Sequence, residues 1–199
     1  PAFSWNAVAT LRPRSWVTIE WLAIGLTVLI VATDIVRAAG GRMLLLEEFQ
    51  QVLLIVCATV HLIRLAGWQP WKTWRIPLLL VLPLAYLWIP VHLILRIDHP
   101  TLATHALTVG AMAGLMLAMM TRSALGHTGR ALVARPVELL CFASIHLAAL
   151  TRVVGPILLP EFYQAWIQTS ALLWTLAFSV FALAYWPILS RPRIDQTST

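Results

Sequence analysis

From Leu102 to Met120 the chain runs for 19 positions without a charged side chain. At about 1.5 Å per residue this is a helix of roughly 28 Å, close to the thickness of a hydrocarbon core. Backbone polar groups in lipid must be satisfied from within their own segment, so the run predicts a membrane-spanning helix. The rest of the chain repeats the signal. With 60% hydrophobic and 11% charged residues, and a mean hydropathy of +0.82, the 199-residue chain does not read as a water-soluble domain. The expected fold is all-α: one polytopic transmembrane bundle in the lipid bilayer, with about six spans at 16–36, 43–65, 76–95, 102–120, 136–159 and 162–189. Pro83 and Pro90 should kink the third span.

In a soluble protein a formal charge of +6 would suggest nucleic acid. Here the basic residues sit between apolar runs, and the positive-inside bias accounts for them without a nucleic-acid partner. With six spans, one side carries Arg12, Arg14, Arg64, Lys72, Arg75, Arg122, Arg130, Arg135, Arg191 and Arg193, 10 of the 14 basic residues. The other side carries Arg37, Arg42, Arg96 and Arg152, which places both ends of the chain in the cytoplasm. Pro1 stands where an initiator Met would be, with no signal segment after it, which suggests a piece of a longer protein. Cys57 and Cys141 lie in apolar runs and no C-x-x-C-H occurs, so covalent c-type haem attachment is excluded.

The fourth span holds the densest chemistry. His105, Met112, Met116 and Met119 fall at offsets of 0, 7, 11 and 14, one stripe at a 3.6-residue period, expected to face the bundle interior. Gly110 and Gly114 form a small-xxx-small pair that lets a neighbouring helix approach closely. The helix is expected to leave the membrane at Arg122 into a polar loop, SALGHTGRALVAR. There Gly126, His127, Thr128, Gly129 and Arg130, with Arg122, suit an anion such as a phosphate or haem propionate, or else form a tight turn.

Imidazole is the commonest neutral nitrogen ligand of haem iron and copper, and Met or Cys sulfur favours Cu(I). Sorted by depth, His92, His99 and His105 can meet near the outer surface. His61, with Cys57 one turn away, can meet His127 near the inner one. His105 and His127 are roughly 30 Å apart along the helix and cannot share one metal in one subunit. His146 lies near mid-depth. The metal-ligand candidates are therefore His105, His61 and His127, and the wider cofactor-binding set adds Arg122, Arg130 and His146. In a second reading no cofactor is bound, and Glu138, His146 and Arg152 line the polar path of a transporter-like bundle.

The run HALTVGAMAGLMLAMMTRSALGHTGRAL, His105 to Leu132, resembles the signature of the NnrS family of bacterial membrane proteins. The resemblance continues in HLIRLAGW from His61, PLAYLWIP from Pro83, LAALTRVVGPIL from Leu147 and YWPILSRPRID from Tyr185. Family members have about twelve spans, so the chain resembles their C-terminal half, and the N-terminal half is an implied partner. The resemblance further implies a bacterial inner-membrane protein containing haem b and copper and associated with nitric oxide response and denitrification. The family residues carried over are His105, Gly110, Gly114, Arg122, Gly126, His127, Thr128, Gly129 and Arg130, with His61 and Arg64. Where the family often has a histidine ahead of a Gly-Tyr-x-Trp-like segment this chain has Pro83, so one site is altered or relocated if that histidine is a ligand elsewhere.

Overall fold

The structure, a computed structural model, describes residues 16–40 and 44–194, the side chains of 44–46 excepted. Its frame is six helices long and apolar enough to cross a membrane: α1, Val17–Ala38; α2, Leu44–Gly67; α3, Pro77–Asp98; α4, Pro100–His127; α5, Pro136–Leu158; and α6, Tyr163–Leu189. No strand occurs among the described residues. An even number of crossings puts Trp16 and Ile194 at the same end of the bundle, together with the ends of α2 and α4. Arg12, Arg14 and Arg42, which entered the charge count, lie outside the described residues.

Proline opens three of these helices. Pro77, Pro100 and Pro136 stand in the first turn, where the missing N–H would have had no intrahelical partner. Pro83 and Pro90 stand inside α3, which continues through both. In α5 the helix ends at Val153 and resumes as Gly155–Leu158, because Pro156 cannot continue the donor pattern.

Side-chain packing gathers into three clusters. The largest joins α3, α4, α5 and α6 through Leu78, Leu117, Phe142, Ile145, Ala177 and Tyr185. A second joins α1, α2 and α3 through Ile30, Leu53, Leu54 and Leu93. Trp88 centres the third, against Ala106, Ala111, Ala149 and Val153. The core is thus formed by α2 to α5, whereas α1 and α6 leave most of their apolar surface outward.

The fourth span departs from its expected form in two ways. It does not leave the membrane helix at Arg122: the helix runs five residues further, to His127, and Arg122 is buried. Between His105 and Ala113 it also widens into a π segment, Ala106–Met112. A π turn holds more than 3.6 residues, so residues beyond it are rotated relative to those before. The stripe from His105 to Met119 is broken for that reason. Met112, Met116 and Met119 are 51, 52 and 38% exposed and face away from the bundle.

The glycine pair behaves as a packing seam. A Cβ on Gly110 would strike the Trp88 indole, and one on Gly114 would come within 2.8 Å of Ala85 Cβ. Gly110→Leu is therefore expected to lower the yield and melting temperature of the folded protein in detergent. Gly126 has nothing within 4 Å of the same position. There Gly126→Ala should leave stability unchanged or raise it by up to ~1 kcal/mol, the helix-propensity gain.

Candidate functional site

A polar cluster lies at the end of the bundle shared by Trp16 and the ends of α2 and α4. Glu20 stands in the first turn of the apolar helix α1, and an acid in a membrane needs a partner. Arg64 on α2 supplies it, with Nε at 2.8 Å and Nη2 at 2.7 Å from Glu20 Oε2. Arg64 Nη1 also donates to the Tyr86 hydroxyl on α3 at 2.8 Å, and that hydroxyl lies 2.5 Å from His61 Nδ1. The guanidinium carbon sits 5.1 Å from the Trp68 ring and 5.2 Å from the Tyr86 ring. One arginine thereby ties three spans.

His61 is the best-held imidazole of the set. It is buried, and its Nε2 lies 3.4 Å from Thr27 Oγ1. The Thr27 hydroxyl donates to Ala23 O at 2.7 Å, so its oxygen is the acceptor toward His61 and toward Cys57 Sγ at 3.8 Å. Thiol and imidazole thus converge on one hydroxyl, beside a cavity of about 250 Å³ bordered by Glu20, Ala23, Thr27, His61 and Arg64. In that arrangement Nε2 carries the proton and Nδ1 accepts from the Tyr86 hydroxyl; in the other tautomer Nδ1 donates to Tyr86 and Nε2 is left with a lone pair, which is how a metal-binding histidine is held by its second nitrogen.

The other expected ligands are placed elsewhere. His105 is half-buried, and its Nε2 lies 3.1 Å from Arg152 Nη2. Arginine only donates, so His105 Nε2 is the acceptor there and its lone pair is engaged. His92 Nδ1 is 2.8 Å from Ala103 O, while His99 is exposed. His127 is exposed at the last position of α4. Among the described residues no group of three or more His, Cys, Asp or Glu side chains is placed to hold a metal ion. The outer three histidines therefore form no such group among the described residues, and His61 is held by Tyr86 and Thr27 while His127 is exposed at the end of α4.

The GHTGR segment is a helix end. Arg130 N–H donates to Leu125 O at 2.9 Å and Gly129 N–H to Gly126 O at 3.3 Å, the paired bonds of a Schellman cap. Gly129 occupies the left-handed position with φ +72°. Ile194 N–H donates to Thr128 O at 3.1 Å, and a Cβ on Gly129 would come within 2.6 Å of Ile194 O. Arg130 Nη1 reaches Ile188 O and Arg122 Nη1 reaches Leu78 O, both at 3.4 Å. Both guanidinium groups thus point at backbone carbonyls, and the loop joins α4 to the end of α6. Of the two readings of this loop, the anion site and the tight turn, the geometry favours the turn.

Glu138, fully buried at the start of α5, accepts from Arg135 N–H at 2.7 Å, from Arg135 Nη2 at 2.6 Å and from the Tyr185 hydroxyl at 2.7 Å. Its carboxylate caps α5, fastens α6 and pushes the Arg135 guanidinium up from its ordinary value. Arg152 reaches His105, Glu138 is tied to Arg135 and Tyr185, and His146 faces apolar neighbours, so no shared contact joins Glu138, His146 and Arg152. At the opposite end of the bundle, Asp34 Oδ1 accepts from Arg96 Nη2 at 2.5 Å and from Gln50 Nε2 at 2.6 Å, and Gln50 in turn accepts from Arg37.

The sequence profile described as "NnrS protein" matches residues 1–193. The chain belongs to the NnrS family. No curated protein and no solved structure matches it. Two of the segments that carry the resemblance meet at this cluster: HLIRLAGW supplies His61, Arg64 and Trp68, and PLAYLWIP supplies Tyr86. Sequence reasoning missed Glu20, Thr27 and Tyr86 as members of the site. A carboxylate in the first turn of an apolar span, one of two on that helix with Asp34, was the available signal for Glu20.

Gly129→Val, which forces a branched residue into positive φ against Ile194, should cost more than ~1 kcal/mol of stability. Arg130→Lys keeps a donor for Ile188 O and should be nearly silent in the same thermal unfolding assay.

Proposed function

We propose that this NnrS-family chain is part of a bacterial inner-membrane protein that carries haem b and copper and acts in nitric oxide response or denitrification, with His61 as its principal metal-binding residue. The observation that carries the site is the hydrogen-bonded relay Glu20–Arg64–Tyr86–His61. It holds an imidazole in one orientation and leaves its Nε2, beside the Cys57 thiol, toward a cavity reached from the α1 side. The donor chemistry fits copper: an imidazole nitrogen and a soft sulfur on one helical turn. It also fits a haem edge, since Arg64 offers a cation to a propionate and His61 a nitrogen to iron. The bound metal would supply a centre able to take up a small diatomic ligand. The chain's own groups orient the imidazole, keep the site electrically balanced through Glu20, and exclude water with Trp68 and Tyr86. Two donors do not complete a coordination shell, and the remainder would come from the N-terminal half that the family resemblance implies.

His61→Ala should abolish copper or haem retention per folded protein, or shift the Soret band. Tyr86→Phe, which keeps the ring and removes the orienting hydroxyl, should weaken retention without loss of fold. His127→Ala should match the parent. If His61→Ala retains the parent spectrum and metal content while His105→Ala changes them, the site lies at the other end of the bundle.

The same reading places both ends of the chain in the cytoplasm, on the 10 to 4 division of basic residues. Cys57 and Cys141 are both buried, so a reporter cysteine at exposed Ser123 can be read alone. It should react with an impermeant maleimide from the cytoplasmic side only, and labelling from the periplasm would reverse the orientation.

A further inference from the structure

At the end of the bundle opposite the His61 cluster lies a cavity of about 340 Å³. The last turns of α1 and α3, the first turns of α2 and Pro100 at the start of α4 border it. Its charged lining is Arg37, Glu47 and Arg96, with the amides of Gln50 and Gln51 beside them. Because these are the ends of spanning helices, the cavity sits at a membrane surface, at the depth of lipid headgroups and not of acyl chains.

The framework behind the cavity is fixed and its charged rim is accessible. Gln50, 2% exposed, accepts from Arg37 Nη1 and donates to Asp34, which also accepts from Arg96 Nη2. A guanidinium carries several N–H donors, and Arg37 and Arg96 each use a single nitrogen in a hydrogen bond among the described residues. Their side chains are 46 and 22% exposed, so uncommitted donors stand at the cavity wall. Glu47, 61% exposed, lies 4.0 Å from Arg37 Nη2, beyond hydrogen-bond distance, and its carboxylate has no hydrogen bond among the described residues. Asp34 and Glu47 match the charges of Arg37 and Arg96, so a ligand of one sign would meet repulsion as well as attraction. A zwitterion meets both needs: an oxyanion takes the guanidinium donors, whose fork suits phosphate, and an ammonium gives its N–H groups to the Glu47 carboxylate.

We propose that this cavity binds the headgroup of an aminophospholipid, with its phosphate held by Arg37 and Arg96, its ammonium by Glu47, and its acyl chains in the adjoining lipid. The site is separate from the His61 cluster and does not depend on a metal there.

The test uses delipidated full-length protein in maltoside detergent, titrated with dioleoylphosphatidylethanolamine or dioleoylphosphatidylcholine and read by native mass spectrometry as lipid bound per protein. The parent should bind the ethanolamine lipid saturably and roughly three- to tenfold more tightly than the choline lipid, whose quaternary ammonium has no N–H to give. That ratio is one charge-assisted hydrogen bond discounted for exposure. Glu47→Gln should erase the preference and leave choline-lipid binding at the parent's level, and Arg37→Gln should weaken both lipids. If Arg37→Gln lowers the melting temperature, Glu47→Gln decides alone, since its carboxylate makes no hydrogen bond in the fold. Soluble glycerophosphoethanolamine, the same headgroup without acyl chains, should compete only at far higher concentration. Equal affinity of the parent for the two lipids, an unchanged preference in Glu47→Gln, or no saturable binding would each overturn the proposal. Equal competition by glycerophosphoethanolamine would overturn the lipid as the source of the headgroup.

Discussion

A polar group between membrane spans has no water to return to, and this requirement governs more of the structure than apolar packing does. Lipid tails are as apolar as leucine, so burying leucine between helices gives little preference for one neighbour over another. Glu20 and Arg64 do give one. Their ion pair, extended through Tyr86 to His61, fixes α1, α2 and α3 at one end. Asp34, with Gln50 and Arg96, fixes the same three spans at the other. Glu138 and Tyr185 join α5 to α6. Apolar packing then follows where close approach is allowed, most clearly at Gly110 and Gly114.

The same constraint explains which histidine is available for chemistry. His92 is bonded to a backbone carbonyl and His105 to an arginine, so each has its polar need met by structure. His61 is different, because its Nδ1 is held strongly while Nε2 has only a long contact to a hydroxyl that the Cys57 thiol shares. Orientation on one nitrogen and a weak partner on the other is what a ligand position needs. His146 is different again: its Nε2 has no hydrogen-bond partner among the described residues, and its surroundings are apolar.

The six spans were legible because their lengths match a bilayer and their charges fall between them. The close approach at Gly110 and Gly114 was legible from small-residue spacing. The methionine stripe was misread, since the π segment at Ala106–Met112 changes the rotation per residue between His105 and Met112, and no local signal fixes that phase. GHTGR was read from composition as a possible anion loop. Its hydrogen bonds belong to a helix cap, in which only Gly129 needs glycine's conformational freedom. The relay to His61 joins residues 20, 61, 64 and 86, and spacing along one helix cannot reveal contacts among three.

The account rests on a fixed imidazole inside the membrane being there to hold a metal. The most direct measurement is the absorption spectrum and metal content of full-length protein purified from a haem-replete, copper-supplemented host. The account predicts a Soret band with about stoichiometric iron or copper. A colourless, metal-free preparation that is folded and monodisperse would contradict it.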